Sequence, residues 1–347
     1  MSSRLRKLFY PVLRLAVAGV IFAVLAGIMN FGETLAVLGA SEPSLVAAAM
    51  VLFGVGQVLS CVRWRLTLSQ IIAAPPRVLM LLRLYLIGMF VNLGLPTMTG
   101  GDIVRAELLR RFGGGRGGAY ASIFADRLVG VLAVVLVAIG AIALAGDRID
   151  GQSRHLVLVA LLGLTCALVV FVLVFSWSRA RLRWPALGTF FEALRLLRRR
   201  PRVLALSLAI AISVQVIGVI VPIVLLAWAM SIAIPVAVHF ALIPIIVLAA
   251  LVPVAPNGLG VREAAFVVLY GQFGVGPEPA FALGLSWSIV LTIYGLFGGL
   301  ALAFGDPSVR SGALGGARQK QDCHGATTQH RSDGVVLGAL RRSWPWR

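Results

Sequence analysis

Eight stretches of the chain are almost continuously apolar: residues 10–30, 45–62, 79–95, 119–145, 155–177, 203–229, 237–255 and 279–304. Several reach the roughly 20 residues that a helix needs to cross a bilayer. Hydrocarbon offers backbone groups no water to bond, so such stretches are helical. A ninth piece, "REAAFVVLYGQF" from Arg262, is amphipathic. The pattern predicts an all-α, polytopic integral membrane bundle. The first stretch follows Arg4, Arg6 and Lys7 and is a long apolar run with no clear cleavage site, so it reads as a spanning helix rather than a removed signal.

Two polar interruptions stand out. The first is "GLPTMTGGDIVRAELLRR", residues 94–111. Gly94 and Pro96 break the incoming helix. Thr99 can cap the next one, with Asp102 three positions on and in the first turn, where the helix dipole favours an acid. Asp102 and Arg105 share a face, as do Glu107 and Arg110 or Arg111. Gly100 and Gly101 leave backbone N–H groups open at a helix start, an arrangement that suits anions. The second interruption is "PNGLGVREAA" from Pro256. With Pro96 set on Pro256, Gly100 falls on Gly260, and a charged amphipathic helix follows each, the second opening on Arg262 and Glu263. Asn257 and Gly258 complete that second break, and Asn92 lies just before the first. An ancient duplication and coincidence both account for the matches.

Charge now constrains topology. Hydrophobic residues make up 59% of the chain and charged ones 13%, about half the share usual in soluble domains. The net charge of +18 sits between apolar segments and in the tail, as cytoplasmic loops of an inner-membrane protein require, so no nucleic-acid partner is expected. Loop 31–44 carries Glu33 and Glu42 without a basic residue and belongs outside. If 79–95 simply crossed, the loop 178–202, with eight arginines against Glu192, would lie outside too. A re-entrant hairpin over 79–118, entering from the cytoplasm, removes that violation. A second over 237–272, entering from outside, returns the tail to the cytoplasm. The two halves, about 10–177 and 203–304, then hold one hairpin each with opposite polarity, an inverted repeat of the kind transporters use. Residues 1–304 form the membrane domain, and 305–347 a disordered cytoplasmic tail.

Candidate chemistry concentrates at these breaks. Asp126 and Arg127 lie several residues inside the segment 119–145. Charges there are costly and face a cavity or a partner. Two readings stand: Arg127 serves an anionic headgroup while Asp126 pairs with Arg105, or both lie near the helix end and snorkel. Gln57, Gln215 and His239 read as packing or single hydrogen bonds. No phosphate loop, HExxH or Gly-x-Ser-x-Gly motif is present, and no histidine neighbours a fitting nucleophile. No catalytic residue, cofactor or metal is therefore expected. Cys323, His324 and His330 read as plain tail residues, and Cys61 and Cys166 as apolar fillers. The glycine-rich run 111–118 reads as a linker.

The runs "YLIGMFVNLGLPTMTGGDIVRAELLRR", "DRLVGVLAVV" and "PNGLGVREAAFVVL" resemble the flippase-like membrane region of the lysylphosphatidylglycerol synthase family over roughly residues 10–304. The resemblance rests on Asn92, Pro96, Gly100, Gly101, Asp102, Arg105, Asp126, Arg127, Pro256, Gly258, Gly260, Arg262 and Glu263. It implies a membrane domain with re-entrant helices that moves a lipid or serves a lipid or polyprenyl-glycan pathway; some stand-alone relatives are associated with hopanoid biosynthesis. Relatives that make lysyl-lipid carry a further soluble domain, and about 40 residues past the last span are too few for its core. The last span of the family often carries an arginine where this chain has Ser288.

The expectation is a non-enzymatic lipid transporter that flips a phospholipid or isoprenoid lipid. Arg105, Arg127 and Arg262 would attract its headgroup, with Asp102, Asp126 and Glu263 holding the arginines. The alternative is a membrane partner of a lipid-biosynthesis enzyme, docking through 178–202 and the tail.

Overall fold

The computed structural model describes Gly27 and residues 30–72, 74–94, 100–112, 115–145, 200–251 and 256–304. Every regular element among them is helical. Most of the apolar stretch 10–30, all of 155–177, nearly all of the loop 178–202 and the tail from Gly305 lie outside the described residues, as does Pro96.

In chain order the helices are α1 (Phe31–Gly39), α2 (Pro43–Leu68), α3 (Val78–Gly94), α4 (Gly100–Leu109), α5 (Gly115–Ala145), α6 (Pro201–Gln215), α7 (Val221–Ala229), α8 (Val236–Leu251), α9 (Val261–Gly271) and α10 (Pro277–Ala303). A π-helical turn, Val216–Ile220, joins α6 to α7, and a 3₁₀ turn, Pro256–Gly258, precedes α9. Four stretches are long and apolar enough to cross a membrane: Pro43–Leu68, Gly117–Ala141, Pro201–Ala229 and Pro277–Ala303. The protein is a multi-pass membrane protein. Its outward faces carry Val51, Leu79, Val268 and Leu300, apolar groups that lipid rather than water can cover.

Two sequence expectations change. Residues 31–44 are not simply a loop: Asn30 Oδ1 accepts the Gly32 amide at 3.0 Å and starts α1, which packs on α10. An N-cap asparagine of this kind satisfies one open donor and fixes the helix start. The expected linker 111–118 is also shorter, because α5 already begins at Gly115.

α3 packs on α4 and α10, and α8 packs on α9 and α5. Each short apolar helix is thus followed by a shorter amphipathic one and lies against the long span that follows the amphipathic helix of the other half. One core surrounds Phe53, Ile223, Phe266, Tyr270 and Trp287, and a second surrounds Trp64, Leu68, Leu81, Leu84 and Leu108.

α2 and the α6–α7 span run antiparallel. The Glu42 amide donates to the Ala229 carbonyl at 3.1 Å, and Gly56 meets Gly218 farther along. A Cβ added at Gly56 would lie 2.5 Å from the Gly218 Cα, and one at Gly218 would lie 2.7 Å from the Gly56 Cα. Close packing of this kind is the main source of helix association in lipid. Gly218→Leu should destabilise the fold by about 1–3 kcal/mol or more, the usual scale of overpacking. Thermal unfolding in detergent micelles checks this, and an unchanged midpoint would contradict it.

Candidate functional site

The site begins where α3 gives way to α4. Asn92, in the last turn of α3, accepts the Gly101 amide on Oδ1 at 2.7 Å. It therefore satisfies one of the open donors at the start of α4. Thr99, the cap expected from the sequence, lies outside the described residues. Gly100 and Gly101 are buried, and a Cβ on Gly101 would strike the Gly88 carbonyl. That contact lets α4 lie close on α3.

Arg105 follows one turn later. Its stem crosses Gly88, where a Cβ would meet Arg105 Cδ at 2.7 Å. Its guanidinium lies 4.3 Å from the Trp64 ring centre and 4.1 Å from that of Tyr85. Two aromatic faces from α2 and α3 thus hold the guanidinium in one plane. Nη1 donates to Asp102 Oδ1 at 3.1 Å. Nε and Nη2 are buried and have no hydrogen-bond partner among the described residues. These two groups form the side-on edge with which an arginine grips a carboxylate or phosphate. A buried donor left open costs about 1–3 kcal/mol, and more when charged. The open edge therefore favours binding of an oxyanion.

Asp102 serves two arginines. Arg127 donates to it from Nε at 2.9 Å and from Nη2 at 3.1 Å. The Arg127 side chain is 46% exposed and that of Asp102 17%, whereas Arg105 is 3% exposed, so the site has an open end and a buried end. Asp126 does not pair with Arg105. Its Oδ1 accepts Arg63 Nε at 2.8 Å, with both side chains buried. Adjacent helical residues point about 100° apart. Asp126 turns to α2, and Arg127 turns to α4.

The apolar stretch 45–62 stops one residue short of Arg63, and nothing in the apolar pattern singles out Arg63, Trp64 or Tyr85. α2 continues to Leu68, so Arg63 lies within it. The usable signal was the helical spacing of Gln57, Ser60, Arg63 and Thr67, all buried on α2. Arg63, Arg105 and Arg127 face Asp102 and Asp126, leaving one excess positive charge in this cluster. Glu107 pairs separately with Arg110 and accepts the Tyr120 hydroxyl at 3.0 Å.

The second break is built differently. Asn257, Gly258 and Gly260 have φ of 49°, 71° and 81°, the left-handed region in which glycine is unstrained. Glu263 turns back to accept the Gly260 amide on Oε2 at 2.6 Å and the Ser288 hydroxyl on Oε1. Arg262 donates from Nη1 to Ser288 Oγ and from Nη2 to the Asn257 carbonyl, both at 2.9 Å. The expected Glu263–Arg262 ion pair is replaced by a clasp through Ser288 of α10. Both charged groups are buried there, and no hydrogen bond or ion pair joins the clasp to the first cluster among the described residues. The Pro256–Gly258 turn does, however, touch α3. Among the described residues, no group of three or more His, Cys, Asp or Glu side chains could hold a metal ion.

A family model, the lysylphosphatidylglycerol synthase TM region, matches residues 12–299. The chain belongs to this family. No curated protein and no solved structure matches it. In this lysylphosphatidylglycerol synthase membrane region, the first break carries an open charged cluster and the second a closed clasp.

Removing one partner of a buried ion pair costs about 3–5 kcal/mol, whereas replacing both with apolar groups is often nearly neutral. Asp126→Leu should therefore unfold at markedly lower temperature than the Arg63→Met/Asp126→Leu double variant. Calorimetry or dye-based unfolding of the purified protein decides this. Equal losses in both variants would contradict the pairing. Ser288→Ala should cost about 1–3 kcal/mol by the same assay, because it leaves Glu263 and Arg262 each short of a partner.

Proposed function

We propose that the protein is a lipid transporter that flips an anionic phospholipid or isoprenoid lipid across the inner membrane. The observation that carries this reading is the buried edge of Arg105, open on Nε and Nη2 within a cluster of one excess positive charge. In a bilayer such a charge calls for a counter-anion. A headgroup phosphate fits the side-on edge, and the exposed Arg127 gives it a point of entry. The acyl or prenyl tails stay in the hydrocarbon outside the bundle. The reading is transport rather than catalysis.

The same proposal makes α3–α4 and α8–α9 two re-entrant hairpins of opposite polarity. α3 has 17 residues and α8 has 16, or about 25 Å of helix, short of the roughly 30 Å hydrocarbon core. The reciprocal packing of α3 on α10 and α8 on α5 supports an inverted repeat, and so does the contact between the Pro256–Gly258 turn and α3. The termini and the arginine-rich loop 178–202 lie in the cytoplasm. Arg63, Arg105, Arg127, Asp102 and Asp126 form the working cluster, while Arg262 and Glu263 hold the second hairpin in shape.

Phosphatidylcholine vesicles carrying the protein and a trace of fluorescent phosphatidylglycerol, phosphatidylcholine or polyprenyl phosphate test this, with dithionite reporting the outer leaflet. An anionic probe should cross faster than in empty vesicles, and Arg105→Ala should slow it about 10-fold or more, the scale of one lost charged hydrogen bond. Equal rates with and without protein for all three probes would overturn the reading. Loss of function in cells on charge reversal within 178–202, with Arg105→Ala silent, would favour docking of a lipid-biosynthesis enzyme instead.

A further inference from the structure

We infer that the lipid held at the Arg105 edge is a phosphodiester of net charge minus one with an uncharged head alcohol, a glycerophospholipid rather than an isoprenoid phosphate. This names the substrate class of the headgroup site proposed above and rests on that site.

Arg105 and Arg127 offer the same edge, formed by Nε and Nη2, one open and one filled. On Arg127 the two nitrogens meet the two oxygens of Asp102, Nε to Oδ2 at 2.9 Å and Nη2 to Oδ1 at 3.1 Å. Such an edge takes two oxygens that sit on one atom and share one charge. On Arg105 both nitrogens are buried and have no hydrogen-bond partner among the described residues, in a side chain that is 3% exposed. Nη1 is tied to Asp102 Oδ1, so the guanidinium cannot turn its open edge away without breaking that bond. Trp64 and Tyr85 lie over the guanidinium at 4.3 and 4.1 Å, so an oxyanion reaches the edge in the guanidinium plane. Trp64 is itself anchored on α5: Nε1 donates to Ser122 Oγ at 3.3 Å, and Ser122 Oγ donates to the Ala119 carbonyl at 2.8 Å. Two in-plane donors match the two non-bridging oxygens of a phosphodiester. A phosphomonoester has three, and the third is left over at this edge.

Charge makes the same selection. Arg105 and Arg127 are both hydrogen-bonded to Asp102, and two guanidinium groups against one carboxylate leave a net charge of plus one. A monoanion brings it to zero. A diphosphate overshoots, and a zwitterionic headgroup leaves the excess in place; either imbalance is costly in a bilayer. The open end selects the head alcohol. Arg105 is 3% exposed and Arg127 46%, with Asp102 between them. A group that extends from the phosphate toward the open end meets the Arg127 guanidinium. A glycerol hydroxyl accepts a hydrogen bond there, whereas a choline or lysyl cation is repelled. A fatty-acid carboxylate also has two oxygens and one charge, but it places nothing at the open end.

The test titrates the purified protein in an uncharged maltoside detergent and reads affinity by calorimetry. The probes are dihexanoyl-phosphatidylglycerol, dihexanoyl-phosphatidic acid, dihexanoyl-phosphatidylcholine, lysyl-phosphatidylglycerol, geranyl diphosphate, decanoate and free glycerophosphoglycerol. Dihexanoyl-phosphatidylglycerol should bind about 10-fold or more tighter than each of the others, the scale of one charged hydrogen bond. Arg105→Lys keeps the charge but loses the paired donors, so it should bind phosphatidylglycerol and phosphatidic acid alike while still preferring both to phosphatidylcholine. Arg127→Gln should bring the affinities for phosphatidylglycerol and lysyl-phosphatidylglycerol together. Both readouts are ratios within one variant, so a general loss of stability does not mimic them, and the wild-type order alone decides if a variant does not fold. Tighter binding of phosphatidic acid or geranyl diphosphate, equal binding of decanoate, or equal binding of free glycerophosphoglycerol would overturn the inference and leave transport of another anion intact. An unchanged diester preference in Arg105→Lys would also overturn it. The expected binding order, with equal phosphatidylglycerol movement in protein-containing and empty vesicles, would support the ligand class and remove transport. No binding of any anion would overturn both.

Discussion

The first half of the molecule is organised around charge that hydrocarbon does not tolerate. Arg63, Arg105 and Arg127 are gathered against Asp102 and Asp126 on helices that are otherwise apolar. Each arginine is held in a different way. Arg63 has a single buried carboxylate, Arg127 shares Asp102 at the exposed end, and Arg105 is fixed between two rings with one edge free. Unpaired charge inside a bilayer costs several kcal/mol. That cost explains why two glycines, Gly88 and Gly101, are spent on bringing α3 and α4 together: without that contact, Arg105 would not reach Trp64, Tyr85 and Asp102 at once.

α5 links the two ion pairs. Asp126 and Arg127 are neighbours in sequence but face different helices, so a shift or rotation of α5 strains both pairs together. The second break has no such freedom. Its charges are consumed by Ser288, the Gly260 amide and the Asn257 carbonyl. One half of the chain thus presents an unsatisfied cluster, and the other a satisfied one that fixes a turn. A transporter with one working hairpin and one braced hairpin is consistent with that asymmetry.

Much of this was legible in the sequence. Four of the apolar runs, 45–62, 119–145, 203–229 and 279–304, match the spans among the described residues to within six residues, because lipid imposes length and composition on them directly. Gly94, Asn92 and the paired glycines marked the first break, and Asn257, Gly258 and Gly260 the second, because only such residues end or turn a helix there. The pairing partners were not legible. Asp126 meets Arg63 across 63 positions of sequence, and Glu263 meets Ser288 across 25, and nothing local encodes either. Arg63 falls beyond the apolar run 45–62 because charge ends that run before the helix ends at Leu68. Helix α1 was missed because its short, mixed face resembles a loop until Asn30 is seen to cap it.

The central claim is that the first cluster holds one anionic lipid through the free edge of Arg105. Native mass spectrometry of the protein released from mixed micelles of phosphatidylglycerol and phosphatidylcholine tests it most directly. Wild type should retain a single anionic lipid in preference to the zwitterionic one, and Arg105→Ala should lose that preference while Arg262→Ala keeps it. Equal retention of the two lipids by wild type, or an unchanged preference in Arg105→Ala, would contradict the account.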